Sequence, residues 1–178
     1  MATLVVLLRG INIGPRNRIA MPALRAALEE AGFGDVRTYV QSGNVVLTSQ
    51  AGPARVAATC ERAIAESFGL ELPVVARTRD ELADVVARDP LGGVAKNAKR
   101  YQVTFLGAKL AAATVEKLEA AATAGERLVV SGREVYAWHP EGVGRSKLAT
   151  LLAGRGLGTT ATARNWTTVT ALLALADG

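Results

Sequence analysis

Three short polar clusters in this sequence have the residue types that bind anions or polar ligands. They are Arg9–Asn12 (RGIN), Gln41–Asn44 (QSGN) and Arg164–Thr167 (RNWT). Guanidinium and amide groups donate hydrogen bonds to anions, and glycines let backbone N–H groups approach a phosphate. Each cluster lies at the end of a predicted strand or the start of a predicted helix. We therefore expect a ligand site between strand-end loops.

The predicted ligand-binding residues are the cationic and amide side chains of these clusters: Arg9, Asn12, Gln41, Asn44, Arg164 and Asn165. A structural interpretation of the same residues stays open. Asparagine and glycine are common turn residues for local reasons, Ser-Gly-Asn suits a tight hairpin, and Asn165 suits a helix cap. Trp166 could stack on a planar ligand, or it could fill the space between two layers of the fold.

Catalytic and metal-binding signatures are scarce in this chain. His139 is the only histidine and Cys60 the only cysteine, so no His/Cys metal site of familiar spacing can be built. A serine–histidine–acid arrangement would have to use His139, and no nucleophile motif accompanies it. Cys60 falls on an apolar helix stripe, which predicts a buried, inert thiol. The sequence names no catalytic residue, no metal and no cofactor, and it leaves open whether the protein is an enzyme.

Length and composition favour a folded protein in a reducing compartment. The chain has 178 residues, 49% of them hydrophobic, enough for one large core or two small ones. No apolar run approaches the roughly 20 residues that a membrane span needs. The N-terminus lacks the basic start and cleavage site of a secretory signal, and one cysteine permits no internal disulfide. These features predict a cytoplasmic protein with no membrane partner.

The charge balance is mildly basic. The net charge is +5, from 21 Lys and Arg against 16 Asp and Glu. Such a balance is compatible with a small anionic ligand or with nucleic acid. No run of adjacent basic residues marks a nucleic-acid tail, so the small ligand is the favoured partner. Nothing in the sequence predicts an oligomeric state.

Apolar periodicity and turn residues predict the element order β-α-β-β-α-β twice along the chain. In the first half the predicted elements are strand Leu4–Leu8, a helix from near Pro22, strands Val36–Val40 and Val45–Thr48, a helix opening at Gly52-Pro53, and strand Leu72–Ala76. In the second half they are strand Tyr101–Leu106, helix Ala111–Ala122, strands Leu128–Ser131 and Glu134–Trp138, a helix from about Arg145 to Ala153, strand Thr160–Ala163 and helix Trp166–Ala176.

This order predicts an α+β fold of two ferredoxin-like halves, each an antiparallel sheet backed by helices. Proline and glycine pairs near residue 90 predict a break between the halves. The predicted organisation is an N-terminal ferredoxin-like half at 1–78, a linker with a short helix at 79–98, and a C-terminal ferredoxin-like half at 99–178.

Aromatic residues on two predicted strands offer a nucleic-acid alternative. Tyr101 and Phe105 share one face of their strand, and Tyr136 and Trp138 share a face of another. RNA-recognition modules stack bases on aromatic pairs placed in this way. The consensus motif of those modules is absent, and aromatic residues on central strands usually belong to a core.

Three longer motifs resemble the signature of one bacterial family. They are Leu8–Gly14 (LRGINIG), Tyr39–Val45 (YVQSGNV) and Ala161–Trp166 (ATARNW), in this order along nearly the whole chain. The family is catalogued as domain of unknown function 1697. The resemblance implies a cytoplasmic α+β protein of ferredoxin-like halves and no established activity. The family often has a second glycine after the position of Gly14, where this sequence has Pro15.

Three functional hypotheses follow. The leading one is an uncharacterised protein that binds an anionic or nucleotide-like ligand between strand-end loops. The alternatives are an RNA-binding module with an aromatic sheet face, and an enzyme that acts on a phosphate-containing small molecule. A nucleic-acid binder needs a continuous basic stripe, a small-ligand protein needs a lined pocket, and the enzyme needs a general base beside it.

Overall fold

The structure is a computed structural model that describes residues 1–153 and 156–178. Within these residues it contains eight strands and six helices. The first seven elements are β1 (Ala2–Leu8), α1 (Met21–Glu30), β2 (Gly34–Tyr39), β3 (Asn44–Ser49), α2 (Pro53–Phe68), β4 (Val74–Thr78) and α3 (Arg79–Arg88). The other seven are β5 (Tyr101–Leu106), α4 (Ala112–Ala121), β6 (Arg127–Ser131), β7 (Glu134–Trp138), α5 (Lys147–Ala153), β8 (Ala161–Asn165) and α6 (Trp166–Asp177).

The strands form two four-stranded antiparallel sheets with the same connectivity. Their orders are β2-β3-β1-β4 and β6-β7-β5-β8. The predicted α+β class, with antiparallel sheets backed by helices in two repeated halves, is confirmed.

The chain divides into two compact units, Met1–Asp84 with Leu172–Gly178, and Val85–Ala171. Both limits between the units fall inside helices, in α3 and in α6. The predicted domain limits at 78 and 99 stay a prediction.

In the first unit, the run of apolar residues in β1 serves two faces of one sheet. Leu4, Val6 and Leu8 pack in a core with residues of α1 and α2. Because side chains alternate along a strand, Val5 and Leu7 face the opposite way. They are buried too. A strand buried on both faces needs a continuous apolar run, and this is why β1 does not alternate with polar residues.

In the second unit, β5 also has two buried faces. Leu106 packs in a core with Leu118 of α4 and Leu148 of α5. The opposite face carries Tyr101 and Phe105, each about 1% exposed. The helix-covered face and the aromatic face are therefore both interior.

The two sheets repeat the same hydrogen bonds at the end of the central strand. The Leu8 N–H donates to the Gly43 carbonyl at 2.9 Å, and the Leu106 N–H donates to the Arg133 carbonyl at 2.9 Å. The next residue in each case donates to the other neighbouring segment, Arg9 to Pro73 at 3.0 Å and Gly107 to Thr160 at 2.8 Å. The repeat predicted from element order thus extends to individual backbone contacts.

The edge strands β4 and β8 also correspond residue by residue. Arg77 pairs with Val5, and Arg164 pairs with Val103. Each guanidinium donates to the carbonyl of the preceding alanine, at 3.1 Å in the first case and 2.9 Å in the second. The predicted strand ends at Ala76 and Ala163 were therefore too early, because an arginine and a cap residue continue each strand beyond the apolar run.

The strand residue after each arginine caps the helix that follows. The Thr78 hydroxyl accepts the Glu81 N–H at 3.0 Å, and the Glu81 carboxylate accepts the Thr78 N–H at 2.8 Å. This reciprocal pair is a capping box for α3. The Asn165 side-chain oxygen accepts the Thr168 N–H at 2.9 Å at the start of α6. The predicted role of Asn165 as a helix cap is confirmed.

We expect Asn165→Ala to destabilise the protein by about 1 kcal/mol, because the substitution leaves a first-turn N–H of α6 without its side-chain acceptor. Thr167→Ala on the same helix is the matched control, since Thr167 is exposed. Urea denaturation followed by circular dichroism measures both. Equal midpoints for the two variants would contradict the capping role.

Candidate functional site

The loop after β1 is held in shape by one asparagine side chain. The Asn12 side-chain oxygen accepts the Ile19 N–H at 2.9 Å, and its amide nitrogen donates to the Ile19 carbonyl at 3.0 Å. The same amide nitrogen donates to the Gln41 carbonyl at 2.8 Å. Asn12 therefore closes the first loop, Arg9–Ala20, and ties it to the hairpin turn, Val40–Gly43. We call these two segments together the two-loop surface.

A second asparagine closes the inner part of the first loop. The Asn17 side chain donates to the Gly10 carbonyl at 3.0 Å, and its own carbonyl accepts the Asn12 N–H at 2.9 Å. Both asparagines have positive φ, 52° at Asn12 and 53° at Asn17. Asparagine tolerates this conformation better than most residues. The residue types of the motif thus follow from the backbone shape of the loop.

Two independent constraints, backbone conformation and lack of space, require a glycine in the hairpin turn. Gly43 has φ +82°, a conformation that favours glycine. A Cβ atom at this position would lie 2.9 Å from Leu8 Cβ and 3.2 Å from Ile11 Cγ1. The turn therefore rests directly on the end of β1 and the start of the first loop.

Two apolar side chains are exposed on the two-loop surface. Ile13 is 70% exposed and Val40 is 54% exposed. Val40 also has φ +48°, which is strained for a β-branched residue. Strained residues of this kind persist where the surrounding structure holds them, and they concentrate at ligand clamps and active sites.

The charge on this part of the chain has one sign. Residues 1–28 and 36–60 contain no Asp or Glu, and their arginines are Arg9, Arg16, Arg18, Arg25, Arg37 and Arg55. Arg16 and Arg18 are exposed on the first loop, and Arg9 is half-buried at its start. Arg37 is paired with Asp35 at 3.1 Å, whereas the exposed Arg16 and Arg18 favour a positive potential on the two-loop surface.

The four predicted site residues of the first unit, Arg9, Asn12, Gln41 and Asn44, differ in how exposed they are and in what they contact. Asn44 is fully buried, and its amide donates to Ser42 Oγ at 2.9 Å and to the Tyr39 carbonyl at 3.2 Å. Asn12 and Asn44 thus support the loops, whereas Arg9 and Gln41 keep solvent-accessible surface.

Two further arginines of the first loop, Arg16 and Arg18, lie outside the polar motifs and were missing from the predicted site. Both are exposed on the same loop as Asn12. The stretch without acidic residues is the sequence signal that points to them.

The other two predicted site residues belong to the second unit. Arg164 donates to Thr162 Oγ1 at 2.6 Å as well as to the Ala163 carbonyl, and burial lowers its pKa to about 10. Both Arg164 and Asn165 lie within β8, whereas the sequence placed them between that strand and the last helix. Their described contacts are those of a half-buried strand arginine and a helix cap.

Three of the four aromatic residues proposed for base stacking, Tyr101, Phe105 and Tyr136, are buried, and Trp138 is half-buried. Tyr136 is fully buried and donates to the Val85 carbonyl at 2.8 Å. The Tyr101 ring stacks on Trp166, with ring centroids 4.7 Å apart, and its hydroxyl donates to Asp89 at 3.0 Å. A base cannot stack on a ring that the protein itself covers, so Tyr101, Phe105 and Tyr136 are not open to a base in this structure. The RNA-binding alternative stays a prediction. Trp166 packs against a core ring, as its structural interpretation predicted.

His139 lies in a buried polar cluster that the sequence did not reveal. Its Nδ1 lies 2.6 Å from Glu126 Oε2, and Ser146 Oγ donates to the same carboxylate oxygen at 2.6 Å. In a hydrolytic triad the serine contacts the ring nitrogen opposite the acid. Here Ser146 Oγ lies 3.2 Å from Nδ1, the nitrogen that also faces Glu126. The cluster is therefore a structural connection between β7, α5 and the segment before β6.

The carboxylate of this cluster is held in its ionised form. Burial would raise the pKa of Glu126, but hydrogen bonds from Ser146, from Thr123 and from His139 outweigh burial and lower it to about 2.

The thiol of Cys60 is unreactive in this structure. Cys60 is fully buried, and burial raises its pKa to about 12, as predicted for an unreactive thiol.

The described residues contain neither a metal-ligand cluster nor a membrane-spanning helix. Among residues 1–153 and 156–178, no group of three or more His, Cys, Asp or Glu side chains could hold a metal ion. In the same part of the chain, no helix has both the length and the apolar character to cross a bilayer.

Comparisons with known proteins identify relatives by sequence and by fold. The sequence profile of a family described as "Protein of unknown function (DUF1697)" matches residues 1–136. The chain is also similar to the solved structure of the conserved bacterial protein SP0830 from Streptococcus pneumoniae. The TM-score is 0.80 at 20% identity over 98% of each chain. At this identity the likeness shows the fold alone. No curated protein matches the chain.

We expect Gly43→Ala to destabilise the protein by about 2–4 kcal/mol, the sum of a left-handed alanine and a steric overlap in a packed region. Gly14→Ala is the matched control, because Gly14 has φ +61° and a Cβ atom added there would meet no described atom within 4 Å. It should cost about 1 kcal/mol. Denaturant unfolding of both variants measures the difference, and an equal loss would contradict the close contact between the turn and β1.

We expect Glu126→Gln to lower stability at pH 7 by about 2–3 kcal/mol, because it removes a buried charge that three hydrogen-bond donors share. The wild-type carboxylate contributes its full stability above pH 4.5, and this contribution is lost as the pH falls from 4.5 towards 2. The variant should therefore lose less stability than the wild type across this range.

Exposed Glu119, substituted by glutamine, is the control for that experiment. Urea midpoints between pH 3 and pH 7 are the measurement. If Glu126→Gln and Glu119→Gln have the same midpoints at every pH, the carboxylate does not hold the cluster together.

Proposed function

The chain belongs to the DUF1697 family, whose description states no function, and from its own residues we propose that it binds an anionic or nucleotide-like ligand on the two-loop surface. In this proposal Arg9, Arg16 and Arg18 supply the charge. Gln41 supplies a polar side chain at the rim. Asn12 and Asn44 act indirectly, by holding the loops.

One observation carries the proposal: the three hydrogen bonds of the Asn12 amide fix a basic loop and join it to a second loop. A loop that is already ordered loses little conformational entropy when a ligand binds. Arginine makes charge-assisted hydrogen bonds to phosphate and carboxylate oxygens, which are stronger than neutral ones. A fixed basic loop is therefore better suited to an anion than a flexible loop of the same charge.

Two features favour a ligand with an apolar part. Ile13 and Val40 are exposed on the same loops as the arginines, and the backbone of Val40 is strained, with φ +48°. A nucleotide-like ligand has an anionic group and a flat apolar face in one molecule. Arg164 and Asn165 stay predicted ligand residues, but the two-loop surface does not depend on them.

The enzyme alternative has less support on this surface. A general base would have to be a carboxylate, a histidine or a similar group within hydrogen-bond reach of the substrate. Residues 1–28 and 36–60, which contain both loops, have no Asp, Glu or His. The two-loop surface therefore offers arginines for binding and no proton acceptor of these types for catalysis.

Two finer statements about the protein are also part of the proposal. We infer that each unit is a ferredoxin-like module, and the shared order of β-α-β-β-α-β and of the strands supports this. We infer a cytoplasmic location, and the single reduced and buried Cys60 is consistent with a reducing compartment.

We expect ATP and inorganic pyrophosphate to bind the full chain at low salt, and Arg16→Gln with Arg18→Gln to weaken binding at least about tenfold, the cost of one to two charge-assisted contacts. The double variant Lys96→Gln with Lys99→Gln removes two exposed cations from the other unit and is the charge-matched control. Isothermal titration calorimetry measures all three proteins.

Titration with a single-stranded RNA of about 20 nucleotides separates the small-ligand and nucleic-acid hypotheses. This length is about that of an extended binding site. Binding of RNA alone, with a steep dependence on salt, would replace the small-ligand proposal by a nucleic-acid surface. Equal loss of affinity in both double variants would show that only net charge matters, and the two-loop proposal would then be rejected.

A further inference from the structure

The second unit contains a cavity between helices α4 and α5. Its volume is about 250 Å³. The residues that line it are Thr114, Lys117, Leu118, Thr150, Leu151, Gly156 and Leu157. Leu118 and Leu157 are also members of the hydrophobic core of this unit, so the cavity borders the core. This volume is slightly below the usual range for ligand pockets, which limits the occupant to a small molecule.

The repeat within the chain relates a helix beside this cavity to a helix of the first unit. By element order, α5 corresponds to α2 of the first unit. In the first unit, Ala63 and Ile64 of α2 pack in the core. Among the residues of α5 that the structure describes, Leu152 packs in the core, and Thr150 and Leu151 line the cavity. The helix therefore contributes to both the core and the cavity wall of the second unit.

The lining of the cavity combines apolar walls with a few polar groups, Thr114 and Lys117 on α4 and Thr150 on α5. Leu118, Leu151 and Leu157 supply the apolar surface. Thr114 and Lys117 are three residues apart on α4, so their side chains lie on the same face of the helix. Among the described residues, Lys117 has no ion-pair partner. Thr114 is half-buried and Lys117 is exposed, and both line the cavity.

We propose that this cavity binds a small aliphatic carboxylate. The hydrocarbon chain contacts the three leucines, and the carboxylate accepts hydrogen bonds from the Lys117 ammonium and the Thr114 hydroxyl. Among the described lining residues, apolar walls combined with one cation select such an amphipathic anion over a neutral alcohol and over a short anion without a chain. This site is independent of the two-loop surface, since its residues all lie in the second unit.

Isothermal titration calorimetry of the full chain with octanoate, below its micelle concentration, tests the proposal. We expect octanoate to bind, and octanol and acetate each to bind at least about tenfold more weakly, because each lacks one half of the recognition. Lys117→Met should weaken octanoate by about tenfold and leave octanol unchanged. Lys96→Met, an exposed lysine of the same unit outside the cavity, should change neither affinity.

Thr114→Phe is a second variant that fills the cavity from a half-buried helix position. We expect it to abolish octanoate binding while circular dichroism shows a folded protein. If Thr114→Phe does not fold, Lys117→Met still decides. No octanoate binding at millimolar concentration would overturn the proposal, as would equal binding of octanoate and octanol or unchanged affinity in Lys117→Met.

Discussion

The backbone contacts at the end of each central strand determine where the loops of this protein can lie. Leu8 donates to the segment on one side and Arg9 to the segment on the other, so the chain leaves β1 at a fixed point between two neighbours. The hairpin turn must then pass directly over this point, and only glycine fits at residue 43. The Asn12–Gln41 contact is short because this constraint has already brought both loops together.

Both sheets have the same backbone contacts at the end of the central strand, but only the first unit has a long loop after it. In the second unit Leu106 and Gly107 repeat the contacts of Leu8 and Arg9. The connection that follows β5 occupies only residues 107–111, whereas the first loop occupies residues 9–20. Functional sites are commonly added to a repeated framework through its loops. The difference in loop length therefore favours the first unit as the place of the candidate anion site.

Sequence patterns predicted the elements well where apolar residues dominate, and failed where a strand ends in polar residues. Strands β5 and β7 begin and end at the predicted residues, and the α+β class is confirmed. The ends of β4 and β8 were missed, because Arg77 and Arg164 look like loop residues although they pair within the sheet.

Contacts between residues that are distant in the sequence could not be predicted from one sequence either. The asparagine motif was recognisable as a turn, but its tie to Gln41 spans 29 positions. An amphipathic or turn pattern reports local structure, whereas a site depends on which loops the fold brings together.

The proposed function depends on a two-loop surface that is already formed before an anion binds. Two-dimensional ¹H–¹⁵N NMR of the full chain, titrated with inorganic pyrophosphate at low salt, tests this most directly. We expect shifts confined to residues 9–19 and 40–44, with the Ile19 amide protected from hydrogen exchange before and after addition. Shifts located in the second unit alone, or an Ile19 amide that is unprotected in the free protein, would contradict a preformed anion site on these loops.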